Sequence, residues 1–314
     1  MRITALAGGI GGARFLRGLL AAAPDAEVTA IVNTGDDITL HGLRVCPDLD
    51  TVMYTLGDGI SAERGWGREG ETFAVRDELT AYGVGPAWFG LGDRDLATHL
   101  IRTQLLDAGQ TLTDVTSALC ERWQPGLTLL PMSDDRVETH VVVDDPDSGE
   151  RRAIHFQEWW VRHQAALPAH SIVAVGAEAA SVTTAVQQAI SAADVILLPP
   201  SNPVVSIGTI LAVPGARDAL LGAEARIVGV SPIISGAPVR GMADACLTAI
   251  GVETTAQAVA EHYGARSRGG LLDAWLVDSA DDGVAVDGLV VKAVPLWMTD
   301  LDATADMARA ALAL

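Results

Sequence analysis

Short, continuous apolar runs alternate with helix-length amphipathic stretches along most of the chain. Arg2–Ala7, Glu27–Asn33, Ser171–Gly176, Asp194–Leu198 and Arg226–Ser231 are apolar without polar alternation. That is the pattern of parallel strands covered on both faces. Ala13–Ala23 and Thr183–Ala193 carry helical spacing between such runs, and Ser191-Ala192-Ala193-Asp194 leads directly into a strand. The alternation predicts an α/β fold with a doubly wound, Rossmann-like, mostly parallel sheet.

The middle third breaks this rhythm. Asp48–Gly57, Glu71–Tyr82, Asp93–Ala108 and Leu112–Trp123 all show helical spacing, with almost no strand-like run between them. The expectation is a helical insertion over residues 46–125, within a nucleotide-binding core made of residues 1–45 and 126–314. A hairpin should follow, with Val137–Val143 and Arg151–Phe156 flanking Asp144-Asp145-Pro146-Asp147-Ser148-Gly149, a segment rich in turn formers. No internal repeat, low-complexity segment or long linker interrupts the chain.

Length and charge narrow the function. The 314 residues suffice for one or two domains. With 21 Lys+Arg against 40 Asp+Glu, the net charge is −19, which repels phosphate backbones and argues against nucleic-acid binding. No apolar run approaches the ~18 residues of a membrane helix, and the N-terminus has no signal pattern. Cys46, Cys120 and Cys246 lie far apart with no CxxC, so neither a disulfide framework nor a cysteine zinc site is expected. The expectation is a soluble cytoplasmic protein.

Candidate chemistry gathers where strands end. Gly8-Gly9-Ile10-Gly11-Gly12-Ala13-Arg14 joins the first strand to the first helix. Glycines there admit a phosphate close to the backbone at a helix N-terminus. The dinucleotide pattern fails because Arg14 stands where a glycine is needed and Asn33 replaces the acidic ribose ligand; the Walker pattern fails as well. A tight turn without a ligand is the alternative. Asn33-Thr34-Gly35-Asp36-Asp37 follows the second strand, and Pro47-Asp48-Leu49-Asp50 opens the first inserted helix. Acidic pairs converging from both could hold a hard cation such as Mg²⁺ through oxygen. Helix capping is the preferred role for Asp48; Asp36 and Asp50 are the ligand candidates.

Leu91-Gly92-Asp93-Arg94-Asp95 precedes another helix. Asp93 would cap it, while Arg94 would oppose the helix dipole, a cost that suggests an anionic or polar ligand. His99 reads as a structural histidine. Two further loops follow strands: Pro199 to Gly208, with Ser201, Asn202 and Ser206, and Ser231 to Gly236. Neither holds a nucleophile–base pair, which argues against an acyl-enzyme. His155-Phe156-Gln157-Glu158-Trp159-Trp160 is rich in aromatics in a chain that is 4% aromatic. It reads as a core cluster or as a flat wall for a planar ring.

Taken together and in order, GGIGGARFL, NTGDD, CPDLDTVMY, GLGDRDLATH, MSDDRVETHV, IHFQEWW, PPSNPVVSIG and SPIISGAPVRGMAD resemble the 2-phospho-L-lactate transferase family of coenzyme F-420 biosynthesis. The resemblance covers residue 1 to about 250 and continues more weakly through Ala256–Gly264 and Met298–Asp300. RRAIHFQEWWVR is most similar to the actinobacterial phosphoenolpyruvate transferase branch. The resemblance implies transfer of a phosphoenolpyruvyl or 2-phospho-L-lactyl group from a guanosine diphosphate-activated donor. The acceptor would be the ribityl hydroxyl of the deazaflavin Fo, and GMP would leave. It implies Asp50 and Arg94 at the deazaflavin, and Asp36 and Asp50 as catalytic Mg²⁺ ligands. Gly9, Gly11, Gly12, Ser201, Asn202, Ser206 and Ser231 would lie on the guanosine diphosphate side of a homodimer. The alternative is a nucleotide-sugar-binding regulator of the same superfamily, from which LGDRDLATH and HFQEWW distinguish this chain. A nicotinamide oxidoreductase is a third reading, weakened by Arg14 and Asn33.

Overall fold

The computed structural model of the chain describes residues 1–86 and 88–314. In chain order its strands are β1 (Arg2–Ala7), β2 (Glu27–Val32), β3 (Ile38–Leu40), β4 (Leu43–Val45), β5 (Thr128–Pro131), β6 (Glu138–Asp144), β7 (Arg151–His155), β8 (Ala169–Val175), β9 (Val195–Leu198), β10 (Arg226–Val230), β11 (Ile233–Ile234), β12 (Ala237–Pro238), β13 (Ala274–Val277) and β14 (Val290–Ala293). The helices are α1 (Gly9–Ala22), α2 (Pro47–Leu56), α3 (Ala74–Ala81), α4 (Asp95–Asp107), α5 (Leu112–Trp123), α6 (Thr184–Ser191), α7 (Thr209–Ala212), α8 (Ala216–Gly222), α9 (Ala243–Ala249), α10 (Ala256–Tyr263) and α11 (Leu301–Leu312).

Seven strands form the central sheet in the order β14-β13-β10-β9-β1-β2-β5. Every adjacent pair is parallel. The chain builds outward from β1 through β2 to β5, then returns to the other side of β1 for β9, β10, β13 and β14. The switch point therefore lies between β1 and β9, where open α/β sheets leave a crevice beyond the strand ends.

Alternation along the strands divides the core between two faces. Ile3, Ala5 and Ala7 pack with Phe15, Leu16 and Leu19 of α1, Val52 and Met53 of α2, Val115 of α5 and Ala308 of α11. Leu6, Ile196 and Ile227 point the other way, against Val186, Ile210, Leu220, Leu247 and Val259 of α6 to α10. The two-residue period of a strand sends successive side chains to opposite layers. Among the described residues, no single helix is long and apolar enough to cross a membrane.

One predicted core strand belongs elsewhere. Ser171–Gly176 falls in β8, an edge of the antiparallel sheet β7-β6-β8. Its run SIVAVG is apolar, but Val173 and Val175 face solvent while Ile172 packs on the Phe156–Trp159 cluster. The hairpin β6–β7 forms where the turn residues place it.

Candidate active site

Residues following β1, β2 and β9 line a cavity of about 620 Å³. Gly8 to Gly11 come from the β1–α1 turn, Asp36 from beyond β2, and Ser201, Asn202, Val205 and Ser206 from beyond β9. The first turns of α2 add Asp48, Asp50, Thr51 and Tyr54. Aromatic side chains Trp66, Phe89, Phe156 and Trp160 complete the wall, with Arg64 and Arg240.

The glycines of the first turn are required by packing as well as by any ligand. Gly9 has φ +62, a conformation that favours glycine. A Cβ on Gly11 would lie 2.7 Å from the Pro200 carbonyl oxygen, and one on Gly12 2.7 Å from Ser201 Oγ. Ser201 Oγ in turn donates to the Gly8 carbonyl at 2.9 Å and accepts from the Gly8 N–H at 3.1 Å. The two loops flanking the switch point are thus locked together. Gly11→Ala is expected to cost about 1–3 kcal/mol through this backbone collision, seen as a lower midpoint of thermal unfolding without any ligand. A wild-type midpoint would show that the turn yields freely.

The remaining loop residues divide. Asn202 Oδ1 accepts from the Val204 and Val205 N–H groups, capping the π-helical turn Pro203–Gly208 that brings Ser206 to the cavity. Gly12 lies buried beneath the turn and does not line the cavity. Neither does Ser231: its hydroxyl donates to the Ile233 carbonyl at 2.8 Å and accepts from the Ile233 N–H at 3.1 Å. Its role there is to close its own turn.

Asp48 does not cap α2. The capping position is Cys46, which makes no side-chain cap, with Pro47 at the first helical position. One turn of helix instead carries Asp48 beside Asp36, where the Asn33 amide donates to both, at 3.0 and 3.1 Å. Gln157 Nε2 also donates to Asp36, at 3.2 Å. Both carboxylates are buried, and among the described residues their donors are neutral. Burial, then the Asp48 charge, raises the Asp36 pKa well above the usual range, against the pull of Asn33. Burial likewise pushes Asp48 to about 6, against the Asn33 amide and the Gly9 N–H. Asp37 next door is different, because Arg44 pairs with it at 2.9 Å.

Asp50 belongs to a second network. It is ion-paired with Arg102 of α4, a guanidinium only 1% exposed. His99 Nδ1 lies 3.7 Å from Asp50 and 3.1 Å from Arg102 Nη1, while His99 Nε2 lies 3.3 Å from Asp95. Tyr54 donates to Asp95 at 2.6 Å. Asp50, Asp95 and His99 have the spacing of a metal site, but Arg102 already supplies the cation. Among the described residues, one oxygen of Asp50, Oδ2, has no hydrogen-bond partner. Burial raises the Asp50 pKa, opposed by Arg102 and His99. Asp36 and Asp50 therefore share a cavity but not a set of partners.

Arg94 is not brought to the cavity. It is exposed, and its guanidinium donates to the Glu69 carbonyl at 3.1 Å. Asp93 caps α3 rather than α4, accepting from the Ala74 and Val75 N–H groups, each at 2.9 Å. In the aromatic run, Trp159 is fully buried and donates to the Leu167 carbonyl. Phe156 and Trp160 stack with centroids 5.9 Å apart and line the cavity, so the run supplies both core and wall. No motif in the sequence singles out Arg102, Arg64, Trp66 or Arg240. Of these, Arg102 left a trace: Asp95, His99 and Arg102 recur on one helix face.

Known proteins share this architecture along its whole length. A family profile described as 2-phospho-L-lactate transferase CofD matches residues 3–300. The chain is 65% identical over 318 residues to a Streptomyces coelicolor protein named phosphoenolpyruvate transferase, covering 100% of this chain and 98% of that one. Proteins of the same name from Mycobacterium avium and Thermobifida fusca are 60% and 63% identical at the same coverage. A crystal structure from Bacillus halodurans, described as a member of the UPF0052 family, superposes with a TM-score of 0.64 over 99% of each chain. Its 18% identity speaks to fold alone. Matched over nearly all its length, the chain belongs to the 2-phospho-L-lactate transferase CofD family.

Proposed function

We propose that the chain transfers a phosphoenolpyruvyl or 2-phospho-L-lactyl group from a guanosine diphosphate-activated donor to the terminal ribityl hydroxyl of Fo. The product would be dehydro coenzyme F-420-0 or coenzyme F-420-0, with release of GMP. The observation that carries this reading is one cavity that offers both a phosphate-type and a ring-type surface. The glycine loop and a pair of buried, cation-free carboxylates line it, and Tyr54, Trp66, Phe156 and Trp160 line the same space. The relatives named phosphoenolpyruvate transferase support the same choice. In this reading residues 46–125 are an insertion that completes the deazaflavin side through Asp50, Tyr54, Arg64 and Trp66.

Transfer of a substituted phosphate depends on positioning and charge neutralisation more than on a protein nucleophile. The hydroxyl oxygen forms a bond to the phosphorus bearing the three-carbon acid, and the bond from that phosphorus to the GMP oxygen breaks. The free Asp50 oxygen accepts the hydroxyl proton. Burial makes this carboxylate more basic than an exposed one, while Arg102 keeps it in place. The resident metal suits Asp36 and Asp48 better than Asp36 and Asp50, because only the former pair lacks a cation among its partners. When bound, Mg²⁺ would supply charge neutralisation for the diphosphate. The aromatic wall orients the acceptor ring.

The test is incubation with Fo, Mg²⁺ and each activated donor, followed by mass spectrometry. Product from either donor, together with GMP, is expected. Neither product formation nor Fo binding would return the chain to the regulator alternative.

A further inference from the structure

In a chain with 21 basic and 40 acidic residues, two neighbouring arginines without an acid between them form a local patch of positive charge. Among the described residues, neither Arg14 nor Arg240 enters a salt bridge. Both line a second pocket of about 220 Å³, which shares Gly11, Asn202 and Arg240 with the large cavity. Arg240 thus stands at the passage between the two spaces. Its guanidinium rests against the Gly65 turn, where a Cβ would lie 3.0 Å from Nη2. Trp297, 52% exposed, forms part of the smaller pocket's wall.

Placing two guanidinium groups together is unfavourable unless an anion comes between them. Both side chains line the same small pocket, and partial burial, then the Arg14 charge, lowers the pKa of Arg240. An arginine fork matches the oxygens of a phosphate with paired N–H donors. We infer that Arg14 and Arg240 clamp the diphosphate of the donor at the passage between the two pockets, with its nucleoside against Trp297 in the smaller one. This rests on the transferase reading for the identity of the donor. It divides the substrates by space: the donor enters over α1 and β12, and the acceptor fills the larger cavity.

The experiment is calorimetry with inorganic pyrophosphate and with GDP at fixed ionic strength, on the wild type, Arg14→Gln, Arg240→Gln and Arg226→Gln. Arg226 is exposed at the start of β10, at the opposite end of the sheet, and controls for net charge. Each clamp variant is expected to bind both probes about tenfold more weakly, with Arg226→Gln unchanged. Fluorescence titration should show Fo binding intact in the wild type, Arg14→Gln and Arg226→Gln, none of which alters the wall of the larger cavity. Both clamp side chains are exposed, so equal unfolding midpoints are expected and are checked alongside. Clamp variants that bind like the wild type would overturn the inference, as would a wild type that binds neither probe or equal weakening in Arg226→Gln. A wild type that binds pyrophosphate but not Fo would sink the transferase reading and leave the anion clamp standing.

Discussion

Arg102→Met should destabilise the fold by about 3–5 kcal/mol, the range for removing one partner of a buried ion pair. The guanidinium holds Asp50, approaches His99 and donates to the Arg44 carbonyl at 3.3 Å. Methionine fills similar volume but leaves the Asp50 carboxylate buried without a cation. Burial already raises the Asp50 pKa, and losing Arg102 raises it further. A raised carboxylate contributes stability that is present below its unfolded pKa and lost as pH rises through its folded one. The deficit should therefore be large at pH 8 and shrink as Asp50 takes up its proton in acid. Denaturant unfolding at pH 8 and pH 5 measures both. A deficit below about 1 kcal/mol, the scale of a surface pair, would show that Asp50 reaches water and is not confined as described. Arg102→Lys should recover part of the loss, since the charge returns without the fork.

The same helix explains what a reading of sequence can and cannot extract. In α4 the apolar Leu100 and Ile101 face solvent, whereas Thr98, His99 and Arg102 are buried. A search for an apolar stripe finds the helix but assigns it the wrong inner face. Asp95, His99 and Arg102 fall at i, i+4 and i+7, and that polar recurrence is the legible sign of a buried charge network. Asp48 departs from the capping role its position suggests for a related reason. An acid at the second helical position suits the dipole, and only the three-dimensional approach of the β2 loop turns it toward Asn33 and Asp36.

Strand prediction followed local physics equally closely. The runs before the switch-point loops, β1 and β9, are buried on both faces and read as such. β5, β13 and β14 span four residues each, no fewer than β9; β14 alternates exposed and half-buried positions, which breaks the continuous apolar pattern of a core strand. β8 carries an apolar run on a half-solvated edge, and composition alone does not distinguish that from a core strand. The Gly loop and the loop after β9 were legible as a pair because both follow strands at the ligand edge. Their mutual contacts, which confine the glycines, were not.

Asp48→Asn separates the metal reading from simple packing, with opposite effects on stability and rate. The amide keeps an oxygen that can accept from Asn33 and removes one of two neighbouring buried charges. Burial pushes the folded Asp48 carboxyl up to about 6, against about 4 for a free aspartate. Its contribution to stability is thus present at acid pH and lost as pH rises through 6. In chelator-treated buffer the variant should be more stable than the wild type at pH 8 by about 1–3 kcal/mol, and the difference should vanish near pH 4. Added Mg²⁺ should raise the unfolding midpoint of the wild type by mass action and do little for Asp48→Asn or Asp36→Asn. Turnover with Fo and donor should fall on the order of 100-fold or more in either variant, as expected when metal-borne charge stabilisation is lost. If both variants keep the wild-type Mg²⁺ dependence while Asp50→Asn abolishes it, the metal belongs with Asp50. Arg102 would then have to move away from the carboxylate it now holds.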